Sequence, residues 1–484
     1  MAVSDRATTD RVIVIGGGLT GLAAAHRLVS RSASLRRPIE VRLLEAKDRL
    51  GGAIWTEHRD GFLLEGGADS FITNKPSGIA LCHEIGLSDQ LIGTDPARRR
   101  SFVVRSGRLL PVPDGFVMMA PSRLAPILTS PILSWRGKLR VILERFVPRK
   151  TEEADESLGS FAKRRLGREV FDRLVQPLVG GIYTADPNEL SLAATLPQFA
   201  AMEREHGSLT RAARRQSRED RAGSGARYGL FASLKDGMDS LPRALAAALP
   251  SGVVETNTSV RRIVRPDPAG LWRVEPSEGP PIEAAAVLLA TEAHASARLV
   301  DGFDPELSLQ LRSIPYASSI VANVGYRRDA IAHPLDGFGA VVPSIEGRSI
   351  LAMSFSSVKF AGRAPADSVL LRVFVGGATQ PHLYDLDDAS IEAIILRELA
   401  ELLGASGTPR FIEIARHDRG MPQYTMGHLE RVSAIRVRQA RHSGLGLAGN
   451  AFGGVGIPDC IRSGQEQADA ILAMLAGVAR RAVA

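Results

Sequence analysis

The chain has 484 residues, more than one ordinary domain needs, and its 44% of hydrophobic residues can build sizeable cores. Its net charge of +7 arises from 60 basic and 53 acidic residues that intermingle along the chain, and aromatics reach only 5%, which argues against a base-stacking nucleic-acid surface. Cys82 and Cys460 lie far apart without CxxC spacing, which excludes a disulfide framework and a cysteine zinc site and suits a reducing cytosol.

The first elements organise the rest. Val12 to Ile15 is an apolar, β-branched run suited to a strand buried on both faces of a parallel sheet. Gly16, Gly17, Gly18, Leu19, Thr20 and Gly21 follow as a GxGxxG turn, and Leu22, Ala25 and Leu28 then recur at helical spacing. The glycines permit a tight turn, close approach of backbone N–H groups to a pyrophosphate, and close packing of helix on strand. A second run, Val41 to Leu44, ends in Glu45, about 24 residues after Gly21, where a carboxylate binds ribose hydroxyls and repels the extra phosphate of NADP. NAD and FAD both fit this unit. Two further glycine turns, Arg49-Leu50-Gly51-Gly52 and Glu65-Gly66-Gly67-Ala68-Asp69-Ser70, let the backbone lie flat against a larger ligand and favour FAD. The apolar run after Arg6 and Arg11 mimics a signal peptide, but it is the nucleotide-binding strand and helix and is expected to be retained.

Phe102 to Pro113 reads as a hairpin around Ser106-Gly107. Met118 to Phe146 carries prolines between amphipathic helical patches and is a candidate surface for a membrane or a partner. Thr151 to Ser157 reads as an acidic helix start, and Met202 to Arg227 as a polar connection or exposed helix. A helix opening at Gly237, strands at 259–264, 271–274 and 285–290, a mixed sheet between 296 and 414, and a helix at 389–403 follow. No window of 18 charge-free apolar residues predicts a spanning helix. Near the end, Leu445 to Ala448 reads as a strand, Gly449 to Gly456 as a glycine-dense loop, and Pro458 as the first turn of a helix whose N-terminus can favour a reduced, negatively charged flavin.

These segments resemble the flavin amine-oxidase superfamily and, within it, the porphyrinogen oxidases of haem biosynthesis. The resemblance runs through GGGLTGLAAAHRL, LLEAKDRLGG, FLLEGGADSFITNK, GFGAVVPS, MPQYTMGHLERV and GNAFGGVGIPDCIRSGQEQA. It implies non-covalent FAD, with Gly16 to Gly21 at the pyrophosphate, Glu45 and Ala46 at the adenosine half, and Val260 offering backbone to the adenine. Gly67, Ala68, Asp69 and Ser70 would approach the flavin, and Val455, Gly456 and Ile457 the isoalloxazine ring. A ring clamp for the macrocycle maps onto Phe338, Gly339, Val341 and Phe374, while Lys75 falls where coproporphyrinogen-type enzymes carry a lysine able to pair with a propionate. Ser101 stands where protoporphyrinogen-using relatives often carry arginine, and Leu429 where some carry tryptophan.

The implied fold is α/β, with a Rossmann-like FAD-binding domain (9–95, 228–295 and 416–480), a mixed-sheet substrate-binding domain (96–115 and 296–415) and a helical insertion (116–227). The implied activity is FAD- and oxygen-dependent oxidation of coproporphyrinogen III to coproporphyrin III, with protoporphyrinogen IX as the alternative substrate. No nucleic acid is expected, nor a metal, because His83, His294, His417 and His428 show no ligand spacing. The location expected is cytoplasmic, with peripheral contact to a membrane or to neighbouring haem-pathway enzymes as an option. An amine oxidase or desaturase would share the flavin segments but not GFGAVVPS or PQYTMGH, and a non-enzymatic escort protein would lose flavin contacts.

Overall fold

A computed structural model of the chain describes residues 10–32, 39–150, 154–222, 230–265 and 270–483. β1 (Asp10–Ile15) and β2 (Ile39–Leu44) pair in parallel from Asp10↔Ile39 to Ile15↔Leu44, so each strand starts two residues before its apolar run. α1 (Leu19–Ser32) follows β1 directly after the glycine turn. Val254–Glu255, β2, β1, Ala286–Leu289 and Leu445–Leu447 form one five-stranded parallel sheet in that order, so the chain returns to this sheet twice from far along the sequence.

Alternation along β1 assigns its side chains to two cores. Val12 and Val14 pack with Leu22, Ala25 and Leu28 of α1 and with Ile461, Ala468 and Ile471 of the C-terminal helix α2 (Ile457–Val483). Ile13 and Ile15 pack on the opposite face with Trp272, Val274 and Leu307. The two helices meet at Gly464, where a Cβ would stand 2.3 Å from the Thr20 carbonyl oxygen. No helix among the described residues is long and apolar enough to cross a membrane.

The second sheet has seven strands. Its larger members are β3 (Tyr316–Arg327), β4 (Ser368–Gly376) and β5 (Phe411–Pro422), and the order runs β5, β3, β4, Ala352–Phe355, Gly339–Val341, Phe102–Arg105, Arg108–Pro111. All pairs are antiparallel except Gly339–Val341 with Phe102–Arg105, so the sheet is mixed and the fold is α/β. One face, with Ile320, Ala322, Leu371, Val373 and Val375, buries against Ile391, Ile395 and Leu399 of the helix Asp388–Leu403. The alternate positions, among them Asn323, Arg372, Phe374 and Ala352, face the other way.

The helical segment has its own core, including Phe161, Leu174, Val179 and Leu209. The helix expected to begin in the acidic stretch begins instead at Leu158: the Ser157 hydroxyl accepts the Ser160 N–H at 3.1 Å, and residues 151–153 lie outside the described residues. Most of the polar stretch after Met202 is ordered, as helices Pro197–His206 and Leu209–Ala222, because Leu209, Ala212 and Ala213 are buried. Buried Glu144 accepts from Ser208 Oγ and the Leu209 N–H while paired with Arg165. Residues 223–227 of that stretch lie outside the described residues.

Substituting Gly464→Ala should force α1 and α2 apart and cost about 1–3 kcal/mol. Denaturant unfolding checks this, and a midpoint equal to that of the parent would show that the helices separate without cost.

Candidate active site

Three glycine turns stack against one another. Gly16 has φ of 108°, and a Cβ there would lie 2.7 Å from the Ala290 carbonyl oxygen; a Cβ on Gly21 would collide with the Gly16 carbonyl at 1.9 Å. The Gly51 N–H donates to Gly17 O at 2.9 Å, and Gly18 bridges Gly51, which sets the second turn directly on the first. A Cβ on Gly67 would lie 2.0 Å from the Ala53 carbonyl oxygen, joining the third turn to the second. Only hydrogens in place of side chains allow this stacking, and it leaves a flat backbone cradle of the kind a dinucleotide needs. Leu19 and Thr20 are buried at the start of α1, between this cradle and α2.

Glu45 ends β2 with its carboxylate turned to the first turn. Oε2 accepts the Gly17 N–H at 2.6 Å and Oε1 the Lys47 N–H at 2.9 Å, and each oxygen retains acceptor capacity for a hydroxyl. Ala46 is exposed beside it. The Thr258 N–H donates to Glu45 O, so the segment leading into Val260 runs alongside, and Val260 itself sits at a bulge in the strand Val260–Val264. The residues available to an adenosine half therefore lie together.

The third turn is gripped from the second sheet. Asn323 on β3 donates to the Glu65 carbonyl at 3.1 Å, His417 on β5 meets the Gly66 carbonyl at 2.8 Å, and Arg372 on β4 donates to the Gly67 carbonyl. Because that carbonyl can only accept, His417 carries its proton on Nε2; burial keeps its pKa below the ordinary value. Asp69 meets Lys359 Nζ at 3.1 Å and Arg372 at 3.3 Å. Burial opposes its charge, but Lys359 and then Arg372 hold its carboxyl well below the usual carboxylate range. Ala68 is exposed, and Ser70 Oγ receives a hydrogen bond from Lys359 at 3.0 Å. Sequence reasoning missed Asn323, Arg372, Lys359 and His417 in these roles; for the three on strands a polar residue at an inward position was the available signal, whereas Lys359 ends the short helix Ser356–Lys359.

Val455, Gly456 and Ile457 open α2, with Gly456 O accepting the Asp459 and Cys460 N–H groups. Tyr424 donates to the Asn450 carbonyl, accepts the Gly454 N–H at 2.8 Å and stacks on His428 at 4.0 Å, which ties the PQYTMGH segment to this loop. Burial pushes the Cys460 thiol up to about 11, so it is a neutral thiol. Lys75 has a partner that the sequence did not suggest: Nζ donates to both oxygens of buried Asp459, at 2.8 and 2.6 Å, while its side chain stays 46% exposed.

On the sheet face directed away from the helix Asp388–Leu403, Val341, Ala352 and Phe374 lie side by side in register. Gly181 of the helix Gln176–Tyr183 faces Val341, where a Cβ would stand 3.3 Å from Cγ1. Gly339 has φ of 148°, and a Cβ there would meet the Met353 carbonyl oxygen at 2.1 Å. Phe338 precedes that kink, its carbonyl accepting the Phe355 N–H at 2.8 Å, and does not share the register of the Val341 row.

The chain matches the profile of the flavin-containing amine oxidoreductases over residues 19–472. It belongs to that family. It is accordingly an FAD-dependent oxidoreductase, and the glycine cradle fits the cofactor. It is 36% identical to coproporphyrinogen III oxidase of Propionibacterium freudenreichii subsp. freudenreichii, over 95% of this chain and 90% of that one. The identity to coproporphyrinogen III oxidase of Bacillus subtilis (strain 168) is 33%, over 94% of this chain and 96% of the relative, and that to protoporphyrinogen oxidase 2 of Arabidopsis thaliana is 27%, over 96% and 94%. A crystal structure from Exiguobacterium sp. 255-15, provisionally assigned as a protoporphyrinogen oxidase, superimposes with a TM-score of 0.84 at 30% identity, covering 96% of this chain and 99% of that one.

Glu65 lies buried under the third turn, accepting from the Met238 N–H and Thr56 Oγ1 at 2.8 Å each, and burial pushes its pKa up to about 7. The folded state thus prefers its neutral form, a stabilisation complete below about pH 4.5 and lost as pH rises to about 7. Over that window the stability of Glu65→Gln should improve relative to the parent by on the order of 2–3 kcal/mol. Urea unfolding at several pH values tests this, and a constant difference would refute it.

Proposed function

We propose that this oxidoreductase converts coproporphyrinogen III to coproporphyrin III with dioxygen as acceptor, as the names of its 36% and 33% identical relatives suggest. The observation that carries the choice of substrate is Lys75, a half-exposed ammonium beside the start of α2 with two N–H groups on Asp459 and a third free for a carboxylate. Ser101, in place of an arginine, supports the same reading. Bound FAD supplies the two-electron acceptor that dioxygen restores, and three rounds aromatise the macrocycle.

The chain's own residues bind and orient. Gly16, Gly17, Gly18 and Gly21 bring backbone N–H groups to the pyrophosphate, Glu45 takes ribose hydroxyls, and Gly67–Ser70 and Val455–Ile457 flank the flavin. Val341, Ala352 and Phe374 offer the macrocycle an apolar face that excludes water, and Phe338 and Gly339 shape its edge.

Comparing initial rates of porphyrin fluorescence from coproporphyrinogen III and protoporphyrinogen IX tests the assignment, with the former expected to be faster. Because Lys75→Ala alone would leave buried Asp459 with only the long 3.5 Å pair to Arg462, the contact is isolated in an Asp459→Asn background. There Lys75→Ala should raise KM for the four-propionate substrate by about fivefold, roughly 1 kcal/mol for a half-exposed pair, and less for the two-propionate one. Equal effects on both substrates would remove Lys75 as the discriminating contact.

Peripheral attachment to an anionic membrane surface has its own support. Trp135, Leu139, Leu143 and Phe146 are 68%, 45%, 43% and 66% exposed and recur at helical spacing, with Arg136 and Arg145 over the outer rings. Gly137 and Val141 of the same helix are buried, so the apolar stripe faces outward beside cations. Sedimentation with phosphatidylglycerol vesicles, reduced severalfold by the double substitution Trp135→Ser and Phe146→Ser, is expected; retention equal to that of the parent would discard the stripe.

A further inference from the structure

Two buried cations, Arg363 and Arg372, and the largely covered Lys359 lie behind the turn Glu65–Ser70; the inward carboxylates that face them are Asp69 and Glu65, and exposed Asp236 also acts on Arg363 from the solvent side. Lys359 contacts both oxygens of Asp69 at 3.1 Å, and Arg372 contacts one at 3.3 Å. Arg363 is 2% exposed, and its hydrogen bonds go only to neutral oxygens: the Lys235 carbonyl at 3.0 Å, the Leu234 carbonyl at 2.7 Å and Ser233 Oγ at 2.9 Å. Ser233 Oγ in turn donates to the Asp69 carbonyl at 2.7 Å, so all three cations converge on one residue of the turn. Arginine keeps its charge even when buried. Asp69 is the firmly ionised carboxylate on the inner side of these groups, and buried Glu65 is held partly neutral at pH 7.

A structural pair needs one cation per carboxylate, and the surplus among the inward-facing groups, which exposed and water-screened Asp236 offsets only weakly, is expensive unless a negative charge arrives on the other side of the turn. Asn323 and His417, which with Arg372 hold the successive carbonyls of residues 65 to 67, keep that turn rigid between the cations and the cradle. Two-electron reduction places negative charge on a flavin, and fixed charge at close range in a low-dielectric interior acts on it directly.

We propose that Lys359, Arg363 and Arg372, acting through the turn Gly67–Ser70, raise the reduction potential of the bound flavin. This rests on the reading that Gly67–Ser70 faces the flavin. The three are positioning residues: Lys359 and Arg372 meet the turn directly, Arg363 reaches it through Ser233, and none would touch the reacting atoms.

The test is an equilibrium redox titration of the FAD-loaded enzyme against a reference dye at pH 7. Lys359→Met should lower the reduced-to-oxidised flavin ratio at a given potential about tenfold, equivalent to about 30 mV for a two-electron couple. Arg363→Met, which reaches Asp69 only through Ser233, should move it in the same direction, whereas Lys359→Arg should restore the parent value. Asp69→Asn removes the opposing charge and should move it the other way. Opposite shifts are the electrostatic signature, because general loosening of the site would move all variants alike. Shifts of less than twofold with FAD retained would overturn the proposal, as would shifts of one sign in Lys359→Met and Asp69→Asn. A raised KM for coproporphyrinogen III with unchanged potential would also overturn it and assign the cations to substrate carboxylates. Failure of the parent to retain FAD would instead strike the reading on which the proposal rests.

Discussion

The close approach of three glycine turns is the constraint from which the rest of this structure follows. Gly16 presses on Ala290, Gly21 on the carbonyl of Gly16 and Gly67 on Ala53, at separations no Cβ could tolerate, and the Gly51 N–H bonds the Gly17 carbonyl. Backbone packed so tightly must satisfy its polar groups locally, or from partners brought in by the fold. The parallel sheet supplies the first kind, with Leu44 O accepting Gly16 N–H and Ile15 O accepting Ala290 N–H. The second sheet supplies the other, through three side chains on three adjacent strands that take one carbonyl each. The glycine cradle and the seven-stranded sheet are thereby held in register by directional bonds as well as by apolar contact.

That register has an electrostatic cost. Asn323, Arg372, Arg363 and Glu65 are all nearly or fully buried, and polar burial is tolerated only where partners are present. Most of these groups are paired, yet Asn323 Oδ1 and Arg372 Nε have no protein partner. An interface held by apolar packing alone would be cheaper to build. Polar bonds fix distance and angle more sharply, and an enzyme that must orient a substrate against a flavin depends on both.

Much of this was legible in the sequence wherever the signal was local. Val12–Ile15, the GxGxxG turn and Glu45 lie within one βαβ unit, and the structure brings them together as spacing and strand burial imply. The GFGAVVPS and PQYTMGH segments carried the family because they are short and uninterrupted. Lys75 shows where local reasoning ends: its partner Asp459 is 384 residues away, and nothing near Lys75 announces it. Arg372 and Asn323 are hidden for a related reason, since one polar residue in an apolar strand has no periodicity and its partner belongs to another sheet. Leu209, Ala212 and Ala213 illustrate the opposite case: a helix is one of the two readings of that stretch, but surrounding arginines mask the face that these three small or apolar residues bury.

The path of the chain adds a consequence for how the site forms. The cradle is made by the first seventy residues, but its grip comes from β3, β4 and β5, and its closing wall from α2 in the last thirty. α2 packs on α1 at Gly464 and Thr20 and reaches the end of the third turn's loop through Asp459 and Lys75, while the loop leading into it supplies the Gly454 N–H that Tyr424 accepts. No contiguous piece of the sequence therefore contains a complete cofactor site, and local order in the βαβ unit cannot by itself create one. Contacts of such long sequence separation incur their loop-closure entropy together, late in folding. A ligand that touches every layer contributes its binding free energy only to the fully docked state, so it stabilises the assembled site against partial opening. With the cofactor bound as proposed, its retention and the docking of α2 are two views of one equilibrium, set by the same glycine contacts that define the cradle.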